Sequence, residues 1–93
     1  MTILAIETFA TGALAKVRER FETNGRMLPP DVTFVKSWFT PDGRTCYQLM
    51  EAPSLASCEP WLAAWSDLVD IKVLEIVPSE EFWAKKYSET DET

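Results

Sequence analysis

The stretch that decides the fold runs from Val32 to Glu51, VTFVKSWFTPDGRTCYQLME. Two runs rich in β-branched and aromatic residues flank Thr40-Pro41-Asp42-Gly43. Pro at the first central position of a turn presets its φ, and Gly at the end accepts a left-handed backbone, so these four residues read as a type I turn with a bulge. The flanking runs are therefore expected to pair as strands, from about Val32 to Phe39 and from about Arg44 to Glu51. If Thr40 faces Arg44, then Trp38 faces Cys46, Lys36 faces Gln48 and Phe34 faces Met50. That register puts Phe34, Lys36, Trp38, Cys46, Gln48 and Met50 on one side of the hairpin. Val35, Ser37, Phe39, Tyr47, Leu49 and Glu51 fall on the other, and each side holds several large apolar groups.

Toward the N-terminus, Ile3 to Phe9 (ILAIETF) reads as a strand apolar on both faces, with Glu7 its one charge. Leu14, Val17 and Phe21 recur at helical spacing. They predict a helix from roughly Gly12 to Asn24, capped by Thr11 and stopped by Asn24-Gly25. Pro29-Pro30 keeps the loop from Arg26 to Asp31 irregular. Beyond the hairpin, Leu55, Cys58, Leu62 and Trp65 keep helical spacing, and Trp61, Trp65 and Leu68 form a second stripe. They predict a helix from roughly Ser54 to Leu68, with Ser54 or Ser57 as cap and Pro60 in its first turn. Ile71 to Val77 (IKVLEIV) is the fourth strand. Residues 79–87 are expected to form a short helix anchored by Phe82 and Trp83. Residues 88–93 read as a frayed acidic tail, which leaves residues 1–87 as a single domain.

The order β-α-β-β-α-β is the ferredoxin-like arrangement of an α+β domain, a four-stranded antiparallel sheet with two helices on one face. A sheet with one wet face alternates cleanly between apolar and polar residues, and these strands do not. Soluble monomers seldom leave an apolar face of several hundred Å² in water. The expected cover is a second copy across a two-fold axis, giving a dimeric α/β barrel. The segment around Phe82 and Trp83 could instead cover part of the face, or lock onto the partner.

Composition removes several functions. The chain has 93 residues, with 15 acidic and 9 basic side chains and a formal net charge of -6. A domain this small buries only about 60–65% of its unfolded surface, which makes association a common remedy. An acidic surface without a basic patch repels phosphate backbones and anionic lipid, so neither nucleic acid nor membrane is an expected partner. No apolar run approaches the ~20 residues that span a bilayer. With no export signal, Cys46 and Cys58 read as buried thiols in a cytoplasmic protein.

There is no histidine, which removes the usual base near neutral pH and the commonest metal and haem ligand. Two distant cysteines do not make a zinc site, and the three glycines, at 12, 25 and 43, form no phosphate loop. No metal and no cofactor is expected.

The residues Ser37-Trp38, Gly43, Cys46, Gln48-Leu49-Met50-Glu51, Trp61 and Trp65-Ser66-Asp67-Leu68 carry a resemblance. With Gly25-Arg26-Met27-Leu28-Pro29 they resemble a family of short bacterial proteins of unknown function within the dimeric α/β-barrel superfamily. The resemblance covers nearly the whole chain up to Pro78. It implies a ferredoxin-like fold and a homodimer whose two sheets form one barrel, and it implies no activity. The superfamily holds antibiotic-biosynthesis monooxygenases, muconolactone isomerases, stress-responsive proteins and haem-associated enzymes, among which fold alone does not choose.

Two clusters are candidate sites. The expected register gives Trp38, Gln48, Met50 and Lys36 one face, and Trp61 and Trp65 on the second helix could complete an apolar ligand pocket there with Gln48 as its polar anchor. The competing reading is core packing by Trp and Met. Glu7 and Glu51, each in an otherwise apolar strand, are with Gln48 the candidate catalytic groups, because burial would raise a carboxyl into a useful range. The competing reading has both carboxylates solvated at strand ends or paired with Arg26 or Arg44. Asp67 is expected to close the second helix with a local hydrogen bond.

Two functions are compatible with this. One is a small-molecule-binding dimeric barrel, in its fullest form a cofactor-independent enzyme on a small aromatic or lactone-like compound. The other is a non-enzymatic homodimeric structural or interaction module.

Overall fold

The structure is a computed structural model that describes the backbone of residues 1–91 and the side chains of residues 1–86. Strand β1 (Thr2–Phe9) leads to helix α1 (Leu14–Asn24), then to the hairpin β2 (Thr33–Phe39) and β3 (Thr45–Glu51). A 3-10 turn (Leu55–Cys58) runs into α2 (Glu59–Trp65), followed by β4 (Val69–Ile76) and α3 (Ser79–Asp91). The sheet is antiparallel throughout, in the order β2-β3-β1-β4, and the fold is α+β and ferredoxin-like.

Local chemistry sets the helix ends. Gly12 has φ +78°, so the first helix cannot begin there, and Ala13 rather than Thr11 stands at its N-terminus. Gly25 ends it as expected, with φ +69° and its N–H donating to the Phe21 carbonyl at 2.7 Å. Ser54 caps the 3-10 turn by accepting from the Ser57 N–H, and Pro60 sits in the first turn of α2, where no amide hydrogen is needed. The expected single helix from Ser54 is thus a 3-10 turn followed by a shorter α-helix. Helix α3 runs past residue 87 to Asp91, through most of the segment expected to be a frayed tail, and residues 92–93 lie outside the described residues.

The hairpin departs from the expected register by one residue. Thr40 N–H donates to the Thr45 carbonyl at 2.9 Å, and Gly43 N–H closes the turn on the Thr40 carbonyl at 2.8 Å. Asp42 Oδ1 accepts from Thr40 Oγ1 at 2.7 Å and from the Arg44 N–H at 3.0 Å, which draws Arg44 out of the ladder. Phe39 therefore faces Cys46, Trp38 faces Tyr47, Ser37 faces Gln48 and Lys36 faces Leu49. A bulge at Val35 absorbs the extra residue, and Phe34 faces Met50 as expected. Trp38 and Lys36 consequently lie on the side opposite Gln48 and Met50, not beside them.

Helices α1 and α2 share one face of the sheet. Ile3, Met50, Cys58 and Trp61 are its largest fully buried side chains, with Ala5, Val32, Trp65 and Val69 packed around them. Leu4, Ile6, Tyr47, Leu49, Trp38, Leu74 and Ile76 occupy the other face by register. There Trp38 is 47% exposed, Leu74 40% and Tyr47 39%, and the Lys36 ammonium stands 5.4 Å from the Trp38 ring centre. In α3, Phe82 and Trp83 pack edge to face and are both exposed.

Asp67 does not close α2 locally. It pairs with Arg20 of α1, and Ser66 Oγ supplies the local bond, to the Ala63 carbonyl. Among the described residues no helix is long and apolar enough to cross a membrane, and no three metal-ligating side chains gather.

Candidate functional site

Helix α1 covers the sheet without sealing it. None of its residues is buried, and Leu14 and Phe21, two of the three residues in its apolar stripe, are each 43% exposed. Between that stripe and the sheet lies a cavity of about 770 Å³. Leu14, Val17 and Phe21 form its roof, Phe9 and Phe39 one wall, and Trp61 and Trp65 another. The Phe9 and Phe39 rings stack with centroids 5.6 Å apart. Glu7, Arg26, Cys46 and Gln48 bring polar groups to the same space. Apolar walls with a few convergent polar groups are the usual form of a small-molecule pocket of this size.

The polar groups are held in place. Arg26 arrives from the loop after α1, where Met27 adopts φ +59°, a left-handed conformation uncommon for any residue but glycine. Its carbonyl accepts from Trp65 Nε1 at 3.0 Å, and its side chain donates from Nε to Gln48 Oε1, also at 3.0 Å. Its guanidinium lies 3.6 Å from the Phe34 ring centre and 5.2 Å from that of Phe21. Gln48, buried, is fixed in turn by donating from Nε2 to Met50 Sδ at 3.2 Å.

Glu7 stands two residues before the end of β1 on the covered face, paired with Cys46 on one side and Ile71 on the other. Burial raises its carboxyl above the ordinary range, with the Cys46 thiol and the Arg26 charge offsetting part of the effect. Its Oε2 is buried and has no hydrogen-bond partner among the described residues, a state shared with Trp61 Nε1. Arg26 is lowered by burial, against which the Glu7 charge acts. Burial, then the Glu7 charge, pushes the Cys46 thiol up to about 12, so it is no nucleophile at neutral pH.

The structure brings together Glu7, Gln48, Met50, Trp61 and Trp65 of the expected site residues, around or beneath one cavity. It separates Trp38 and Lys36, which face outward, and Glu51, which is exposed at the strand end and accepts from Thr2 Oγ1 at 2.7 Å. The sequence offers Arg26 as a salt-bridge partner for the two glutamates and as part of the segment that carries the resemblance, but not as a group of the cavity. Phe9, Phe21 and Phe39 were not singled out, although Phe21 belonged to a recognised apolar stripe.

Comparison with curated proteins and with solved structures found no match. A family model described as a domain of unknown function, DUF3303, matches residues 1–87, from β1 into α3. The chain therefore belongs to the DUF3303 family of domains of unknown function.

Proposed function

We propose that this protein binds a flat, largely apolar small molecule in the cavity beneath α1, and does so as a homodimer. The observation that carries the reading is the cavity of about 770 Å³ with aromatic walls and a carboxyl, a guanidinium and an amide converging on it. In its fullest form the protein is a cofactor-independent enzyme on an aromatic or lactone-like compound.

Thermal unfolding with 2-naphthol and related flat bicyclic compounds tests this. A ligand at one hundred times its Kd stabilises by about 2.7 kcal/mol, a rise of roughly 10–20 °C for a domain of this size. Val17→Trp, which fills the cavity from its roof, should abolish the rise. A panel without effect, or a rise that survives Val17→Trp, would refute the pocket.

A second reading, a non-enzymatic homodimeric module, is supported by the open sheet face. Trp38, Tyr47, Leu49, Leu4, Ile6 and Leu74 form an apolar surface to which a second copy, sheet on sheet, is the matching partner. Sedimentation should give a dimer that Trp38→Glu or Leu74→Glu dissociates. A monomeric wild type would overturn both the module and the dimeric form of the pocket protein.

A further inference from the structure

We infer that Glu7 and Arg26 form a proton-transfer pair for a carbonyl compound, Glu7 taking a proton from the carbon next to the carbonyl and Arg26 holding the oxyanion that results. The inference rests on the ligand-binding reading of the cavity and adds a substrate class and a reaction to it.

Geometry supplies the first argument. Both side chains line the same cavity and feel each other's charge, yet no ion pair joins them among the described residues. Arg26 spends only Nε, on Gln48, and its two Nη groups make no hydrogen bond among those residues. Glu7 Oε2 is likewise unbonded. A carboxyl and a guanidinium that line one cavity without forming an ion pair keep hydrogen-bonding capacity that a substrate group in that cavity could use.

Position supplies the second. Glu7 faces Ile71 across the ladder, in a place where an aliphatic side chain would pack without a desolvation cost. Local rules of this kind are broken most often where function requires it. Arg26 is held from three sides, by Gln48, Phe34 and the Trp65 indole on its carbonyl, which fixes its charge without using its outer nitrogens.

The chemistry then narrows. Cys46 is a neutral thiol and no histidine is present to activate it or Ser37, so a covalent route lacks a nucleophile. In the step that remains, a Glu7 oxygen forms a bond to the departing proton and the C–H bond breaks. Its electron pair moves into a C=C bond as the carbonyl π pair moves to oxygen, where Arg26 carries the charge. The proton then returns from Glu7 to the same or a conjugated carbon, so nothing is oxidised or consumed.

The test uses 2-tetralone, a flat bicyclic ketone, and 1,3-indandione, whose enolate resembles the intermediate. Exchange of the 2-tetralone α-hydrogens in deuterated buffer is followed by NMR, and binding of both compounds by tryptophan fluorescence. Wild type should exchange the ketone faster than buffer. Glu7→Gln should still bind it but exchange about 100-fold more slowly. Arg26→Met should weaken enolate binding more than ketone binding. Circular dichroism checks that both variants fold. Ketone binding without exchange, or exchange unchanged in Glu7→Gln, overturns the proton-transfer pair and leaves the pocket standing. Failure of wild type to bind either compound overturns both.

Discussion

Arg20 of α1 grips Asp67, just beyond α2, through two parallel hydrogen bonds of 2.7 Å. The same guanidinium donates to the Ala64 carbonyl at 3.0 Å and lies 5.5 Å from the Trp65 ring centre. A helix with no buried residue thus has this arginine as a polar tie to the body of the domain, beside the packing of Val17 against the core. Arg20→Ala should release α1 before it unfolds the sheet. Hydrogen exchange should show the α1 amides losing protection while β1 and β3 keep theirs. Equal loss in helix and sheet would mean that the contact serves the whole fold and not the roof of the cavity.

Glu7 gives stability a definite pH dependence. Its ordinary value is 4.5 and burial raises it in the folded state, so the folded protein keeps a proton that the unfolded chain sheds. The stability this contributes is complete below the ordinary value and is lost as pH rises through the raised one. The charged or titratable groups acting on it are Cys46 from β3 and Arg26 from the loop, and its partner on β4 is the aliphatic Ile71. Cys46, at about 12, does not titrate in that window. Urea midpoints measured from about pH 4 to about pH 8 should fall for wild type relative to Glu7→Gln. A constant difference across the range would show that the carboxyl is not desolvated.

Cys46 and Cys58 should resist alkylation in the folded protein. Both are buried and both thiols are raised, Cys46 to about 12 by burial and then by Glu7, Cys58 by burial and then by Asp31. Iodoacetamide at neutral pH should label them only after denaturation. Rapid labelling of Cys46 in native protein would reveal a more open cavity floor than the one described.

Gly43→Ala should destabilise the hairpin by about 1–2 kcal/mol, the cost of a left-handed backbone for a residue with a side chain. Gly43 has φ +73°, and an added Cβ would meet Leu14 Cδ2 at 3.3 Å. The turn therefore also props the first residue of α1. Ligand affinity should fall with stability in this variant, measured by denaturant unfolding beside a binding titration. An unchanged unfolding midpoint would contradict the turn geometry.

The hairpin shows what a sequence of this kind discloses and what it hides. Thr40-Pro41-Asp42-Gly43 announced a turn between two strands, and Asn24-Gly25 announced a helix stop, because each depends on a few adjacent residues. The register was not local in that sense. Both sides of β2 and β3 carry large apolar groups, so sliding by one residue exposes about as much as it buries, and pattern alone cannot choose. Asp42 was the missed signal, since its carboxylate reaches the Arg44 amide two residues on and delays pairing to Thr45. With that shift Trp38 and Lys36 lie on the open face, and Phe39 lies on the helix-covered face beside Cys46 while staying 54% exposed. Glu7 and Glu51 looked alike in sequence because each interrupts an apolar strand. Only the helix over the Glu7 end of β1, absent over the end of β3, separates a confined carboxyl from a solvated one. Arg26 was hidden because its role depends on a left-handed Met27 that no neighbouring residue foretells.

Helix α1 lies over the sheet with Leu14 and Phe21 of its apolar stripe still partly in water. A guest settling against Leu14, Val17 and Phe21 would supply the hydrophobic contacts that the polypeptide itself does not furnish there. Loading and the last stage of compaction would then be a single event, with the guest acting as a missing piece of core and the empty state left soft on that side alone.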